Sequence, residues 1–470
     1  MIERPTRVRH TTPAARLLAV ITASAVAVAS APVHAQQPAR GLPLIRDTEI
    51  EQLLRDYTQP ILRAAKLAQQ NIQVVIINDR TFNAFVVDGR RIFVNSGALM
   101  ESQTPNQIIG VLAHETGHIA GGHLLRLREQ LASAQTASIL AMLLGVGAIV
   151  AGAKSGAAGA GDMGMAAIAA PQEAIRRSLL SYVRTQEEAA DRAGVKFLDA
   201  TGQSAKGMYE TFKRFAEQTM FISRAMDPYA QSHPMPTDRV SALSDLARTS
   251  PNWERKDSPE LQLRHDLMRA KLSGFMERPD TIVRRYPPSD VSLPARYARA
   301  IASYRHGDVR TAIGQIDALI QAQPNNPYFH ELKGQALLEA GRGVEAIAPL
   351  RRAVQLSPQP ALIQVMLGQA LLASNDAKLA DEAVAILRTA LVREPEVPEG
   401  YSHLAMAYGR KGDLAQADLA SAQAALARGD VKTARELAAR AKTRFAVGTP
   451  GWVRADDIIS AKPPSVQRRN

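Results

Sequence analysis

The 470-residue chain contains no cysteine. That excludes disulfides, thiolate metal ligands and cysteine nucleophiles together, and with them a lipid anchor attached through cysteine. Long apolar runs are almost as scarce. Beyond the N-terminus no stretch reads as a transmembrane helix. Basic patches interleaved with aromatic residues are also lacking. The formal net charge of +12 therefore reads as solvated helix faces, and no nucleic-acid partner is expected. Apolar content is ordinary for a globular protein, and at this length two or more domains are expected.

At the N-terminus, Arg4, Arg7, Arg9 and Arg16 lead into the apolar run Leu17–Ala31, and Val33-His34-Ala35 before Gln36 is an A-x-A-like processing site. The run is too short for a comfortable span. Residues 1–35 therefore read as a signal peptide cleaved after Ala35, and the mature chain as a soluble periplasmic protein. From about Asp47 to Gln70 the apolar spacing predicts an amphipathic helix. Residues 72–79 read as a strand, and 82–97 as two further strands around the turn Asp88-Gly89. A helix is expected from about Thr104, with Thr104 as N-cap, Pro105 at the first position and Gln107 completing a capping box. Another resumes near Glu173 and ends at Gly202; the proline-bearing loop 226–240 leads into a third. Between them, 138–170 is rich in Ala, Gly, Met and Leu. It admits three readings: a covered helical hairpin, a mobile lid near a cleft, or a peripheral contact with a membrane surface.

Residues 111–123 read VLAHETGHIAGGH. On a helix His114 and His118 share one face, so two neutral imidazoles reach one metal ion. Glu115, beside the first, is placed to hold a water molecule made acidic by that ion and to take its proton. The chemistry needs a further protein ligand. The longer pattern with a third histidine after Gly121 would put it at 124, which is Leu124. His123 falls one residue short and, on a continued helix, about 140° round from His118. It reads as a polar residue at or just past the helix end. Glu187 is the better candidate. It lies one helical turn before Asp191, which on the same face is placed to accept from a ligand imidazole and fix its tautomer. Two histidines and a carboxylate suit zinc, one ion per chain.

After about residue 265 the pattern becomes periodic. Gly307-Asp308, Ala312-Ile313 and Pro324 recur as Gly341-Arg342, Ala346-Ile347 and Pro358, then as Ala383-Val384 and Pro395, at offsets of 34 and 37 residues. A helix–turn–helix unit of that length, closed by proline, resembles tetratricopeptide repeats. The longer step implies a three-residue insertion near 373–381. Such repeats imply a binding surface and leave the partner open.

The HETGH stretch, the later EEAAD containing Glu187 and Asp191, the preceding Asn83-Ala84-Phe85 and the following HPMPTDR (His233–Arg239) together resemble the gluzincin family of CAAX prenyl proteases and HtpX-like peptidases. With a signal peptide before and repeats after, the chain is similar to the periplasmic branch of β-barrel assembly-enhancing proteases. The resemblance covers nearly the whole mature chain. It implies zinc held by His114, His118 and Glu187, Glu115 as general base and then acid, and Asp191 behind a ligand. It also implies His233 as an inhibitory fourth ligand and Arg239 beside the site, with Arg239 or a released His233 supporting the oxyanion. Residues Asn83, Ala84 and Phe85 would line an edge to which substrate adds as a strand. Two departures stand out. Thr116 replaces a usually apolar residue, at a position expected to face away from the metal. The disulfides of some relatives cannot form.

The expected architecture is an α+β zincin-like metallopeptidase domain (36–264), an all-α tetratricopeptide-repeat solenoid (265–460) and a disordered tail (461–470). The expected function is a periplasmic zinc endopeptidase in quality control of outer-membrane proteins. Its substrates would be misfolded or stalled outer-membrane proteins, and its repeats would engage the outer-membrane assembly machinery. The competing reading is an assembly chaperone or scaffold with latent proteolysis.

Overall fold

The computed structural model describes residues 42–136, 160–221, 233–234, 237–374 and 376–461. The expected signal peptide, most of the Ala/Gly-rich segment and nearly all of the tail lie outside the described residues. Among the described residues no helix is long and apolar enough to cross a membrane.

Strand β1 (Leu44–Ile45) leads into helix α1 (Thr48–Ala64), whose N-cap Asp47 accepts from the Ile50 amide. Strands β2 (Gln73–Ile77), β3 (Ala84–Val86) and β4 (Arg91–Asn95) follow, with the expected turn at Gly89, φ +71°. The sheet order is β1-β2-β4-β3, with β2 and β4 parallel and both outer pairs antiparallel, so β3 is an edge strand. Ile92, Val94 and Ala84 bury one face against Leu53, Tyr57 and Ile61 of α1 and against Ile108 and Leu112 of the helix that carries HETGH.

After the short helix α2 (Ser96–Glu101), that helix is α3 (Pro105–Gly121). Its start differs from the expected capping box. The Thr104 side chain makes no cap bond. Gln107 Oε1 accepts instead from the Gln103 amide, and Asp257 Oδ2 accepts from the Asn106 amide at 2.9 Å. A carboxylate arriving from 151 residues away takes the Asn106 amide, where the helix dipole favours negative charge.

Helix α4 (Ala160–Ala200) begins earlier than expected near Glu173 and runs through Gly161, Gly164 and Pro171. The surrounding Ala and Met residues favour helix strongly enough to carry these breakers. Helices α5 (Lys206–Phe221), α6 (Thr237–Arg248) and α7 (Pro259–Met276) complete this part.

Helix α8 (Pro279–Arg285) precedes the solenoid of paired helices: α9 (Leu293–His306) with α10 (Val309–Ala322), α11 (Pro327–Glu339) with α12 (Gly343–Leu356), and α13 (Ala361–Leu371) with α14 (Ala377–Arg393). Helices α15 (Pro398–Arg410), α16 (Leu414–Ala427), α17 (Val431–Lys442) and α18 (Pro450–Ser460) continue it. A Cβ at Gly334 would lie 2.3 Å from Leu350 Cγ, and one at Gly368 2.5 Å from Leu387 Cγ. The repeating glycine is thus the contact point in the pairs α11/α12 and α13/α14. The three-residue insertion appears as a longer α14, 17 residues against 14 in α10 and α12.

Helix α7 belongs to two cores at once. Met268 and Leu272 enter the core of the N-terminal part, whereas Leu267 and Ala270 enter the core of the first repeat. The expected division at 264/265 therefore falls inside a helix. Beside it, buried Lys271 lies 2.7 Å from Asp47 and 3.3 Å from Glu49, and the Tyr297 hydroxyl donates to Glu49 at 2.9 Å. Burial, with Asp47 and Glu49 nearby, raises the Glu331 carboxyl to about 7 against the pull of Lys271. In the unfolded chain a glutamate titrates near about 4.3. The protonated form is thus the one the fold prefers. Its contribution is full below about pH 4.3 and is lost as pH rises through about 7. Glu331→Gln, fixed in the neutral form, is therefore expected to exceed wild type in stability at pH 8 by on the order of 2 kcal/mol. Urea unfolding midpoints across the pH range check this.

Candidate metal centre

Three glycines let the helices around HETGH approach closely. A Cβ at Gly117 would lie 2.7 Å from the Ala190 carbonyl of α4, one at Gly194 3.3 Å from the His114 amide, and one at Gly110 2.6 Å from Met208 Cβ of α5. This contact brings His114 and His118 of α3 against Glu187 and Asp191 of α4.

The two histidines turn Nε2 toward each other at 3.0 Å. Glu187 Oε1 lies 3.3 Å from His118 Nε2, and Oε2 lies 3.4 Å from His114 Nε2. His233, from the loop before α6, places Nδ1 3.3 Å from His114 Nε2 and 3.0 Å from Glu187 Oε2. One ligand atom from each of these four residues lies within 4.8 Å of all the others. A tetrahedron with metal–ligand bonds of 2.0–2.1 Å has edges of about 3.3 Å. The five separations given, taken over both Glu187 oxygens, are 3.0–3.4 Å and so of that size. Imidazoles and a carboxylate, all buried or nearly so, are the donor set of a divalent ion.

Glu115 is fully buried, and neither carboxylate oxygen accepts a hydrogen bond. Its Oε1 lies 3.3 Å from His233 Nε2. Burial raises its carboxyl above the usual range. Burial pushes His118 well down, and His114 beside it adds to the effect. His114 goes the other way: burial lowers it, but Asp191 and Glu187 outweigh burial and hold it up at about 9. Glu187 is pushed up by burial, yet His233, His114 and Arg239 keep it well below the usual carboxylate range.

Asp191 stands where it was expected, with Oδ1 2.9 Å from His114 Nδ1. Arg239 is buried and grips Asp191 with two nitrogens, at 2.7 and 2.9 Å. Its third nitrogen lies 2.8 Å from Glu187 Oε2 and donates to the Pro234 carbonyl. Every guanidinium nitrogen thus has an oxygen partner, and Arg239 braces both the ligand Glu187 and Asp191 behind His114. Thr116 turns its hydroxyl back to the Leu112 carbonyl within α3, as suits a residue facing away from the centre.

Asn83, Ala84 and Phe85 lie at the edge strand β3, along which α3 packs. Asn83 accepts from the Asn95 amide, Phe85 stacks on Phe93 at 5.4 Å, and Ala84 is fully buried. His123 is a residue that sequence reasoning set aside. It lies outside the cluster of four ligand residues, yet its Nδ1 is 3.0 Å from His118 Nδ1. The Gly-Gly before it was the signal: glycine at a helix end lets the chain turn back.

A helix offering two imidazoles and an adjacent buried carboxylate to a glutamate on a second helix defines a metallopeptidase of the gluzincin type. Residues 45–247 match peptidase family M48 and residues 297–361 match the tetratricopeptide repeat. The part of the chain that carries the site is thus similar to peptidase family M48, and the tetratricopeptide repeats lie C-terminal to it. It is 25% identical over 435 residues to the beta-barrel assembly-enhancing protease of Yersinia pestis, covering 91% of this chain and 86% of that one. It is 24% identical over 420 residues to the protease of the same name from Escherichia coli, covering 89% and 84%. A relative from Vibrio cholerae is 25% identical over 291 residues, and the match spans only 58% of that relative's length.

Proposed function

We propose that the chain is a zinc endopeptidase of the periplasm that acts in quality control of outer-membrane proteins, with residues 36–264 cutting and residues 265–460 binding protein partners. The observation that carries the peptidase reading is the convergence of His114, His118 and Glu187 beside a buried Glu115 whose oxygens accept no hydrogen bond. Those three residues hold the ion. When bound, zinc supplies a Lewis acid that polarises the scissile carbonyl and makes a water molecule easy to deprotonate. Glu115 takes the proton from the attacking water and delivers it to the leaving nitrogen, so hydroxyl ends on the acyl half and hydrogen on the amine.

His233 in the fourth position closes the site: its Nδ1 occupies the place the reacting groups need, and its Nε2 faces Glu115. Opening requires the loop to withdraw, after which the freed imidazole can donate to the oxyanion. Arg239 reaches that oxyanion only if its contacts with Asp191 and Glu187 loosen as the loop carrying Pro234 moves. Substrate would enter as a strand beside Asn83, Ala84 and Phe85. Relatives named for β-barrel assembly support outer-membrane proteins as substrates and their assembly machinery as the partner of the repeats. The N-terminal segment supports secretion, with cleavage after Ala35.

The closed arrangement also favours a second reading, a scaffold whose proteolysis is latent. Casein degradation by the mature chain separates the two. The peptidase reading expects slow cleavage that stops on chelation and returns with zinc. No cleavage by the zinc-loaded chain would favour the scaffold.

A further inference from the structure

We infer that His123 is a positioning residue for the metal centre, holding His118 in the tautomer and ring orientation that turn Nε2 toward the ion. The inference rests on reading the centre as a zinc site. His114 and His118 both face the cluster with Nε2, and each needs its other nitrogen fixed. For His114 the partner is Asp191, at 2.9 Å. For His118 it is His123, whose Nδ1 lies 3.0 Å from His118 Nδ1 with the rings at 86° and centroids 5.0 Å apart. An imidazole that gives its Nε2 lone pair to a metal carries its proton on Nδ1. His118 therefore donates, His123 Nδ1 accepts, and the His123 proton sits on Nε2.

The backbone is shaped for this contact. Helix α3 stops at Gly121, Gly122 adopts φ +62°, a left-handed break, and helical residues resume at His123. The His123 ring then folds back over the last turn and is 7% exposed. Its Nε2 lies 2.1 Å from where a Cβ on residue 121 would stand, so only glycine leaves room for the ring. His123 is not itself in the ligand cluster. Its effect passes through His118.

The test measures zinc loss to a chromophoric chelator from wild type, His123→Asn, His123→Leu and Gly121→Ala, with thermal unfolding of each metal-free form alongside. The asparagine amide oxygen falls where Nδ1 stands and can accept from His118. Outer-shell partners of this kind are worth about 10- to 100-fold in metal affinity. His123→Leu and Gly121→Ala are expected to lose zinc faster by that factor, with His123→Asn within about threefold of wild type. The visible bands of the cobalt-loaded leucine variant should shift, and those of the asparagine variant should not. Should the leucine variant fail to fold, the asparagine and Gly121→Ala forms decide. Equal zinc loss in all forms overturns the inference while leaving the peptidase reading intact. So does equally fast loss from the asparagine and leucine variants. A wild-type chain that binds no zinc removes both.

Discussion

Glu115→Gln is expected to keep its zinc and to lose casein cleavage by about 10²- to 10⁴-fold, the usual contribution of a positioned general base. Glutamine matches glutamate in shape but cannot take a proton from water. The residue lies outside the cluster of four ligand residues, so ion content should not change. No hydrogen bond to either Glu115 oxygen is broken by the exchange, so the fold should tolerate it. Zinc content, the thermal midpoint and the casein rate are read on the same preparation. Cleavage at the wild-type rate by a zinc-loaded Glu115→Gln would remove Glu115 from the mechanism.

His233→Ala is expected to act in the opposite direction. In the described arrangement its imidazole sits within 3.3 Å of His114, Glu187 and Glu115. A closing contact worth about 1.4 kcal/mol leaves about one molecule in ten open, so removing it raises the rate about tenfold. His114, His118 and Glu187 remain to hold the ion. Casein turnover by the variant against wild type at equal zinc content measures this. A variant slower than wild type would make His233 a contributor to catalysis or structure and would end the account of a closed site.

Helix periodicity explains which parts of the centre were legible in the sequence. His114 with His118, and Glu187 with Asp191, are spaced one turn apart, so their shared faces follow from the helix alone. That the two helices meet depends on Gly117 lying against Ala190, and a glycine in a sequence does not name what it will touch. His233 sits on a loop, and His123 opens the helical residues that follow the left-handed Gly122, where the period of α3 no longer sets direction. Thr104 misled because the competing acceptor, Asp257, is remote in sequence. The repeats were legible because their contacts are local and recur, as Gly334 with Leu350 does at Gly368 with Leu387. The Glu49, Lys271 and Tyr297 group joins three separate helices and left no local pattern.

The closed zinc centre is tested most directly by the zinc K-edge X-ray absorption spectrum of the wild-type chain beside His233→Ala. The account predicts three imidazole nitrogens and one carboxylate oxygen at about 2.0–2.1 Å in wild type, and one imidazole fewer in the variant. Identical spectra with two imidazoles in both would contradict closure by His233. A wild-type chain without zinc would contradict the account of the site itself.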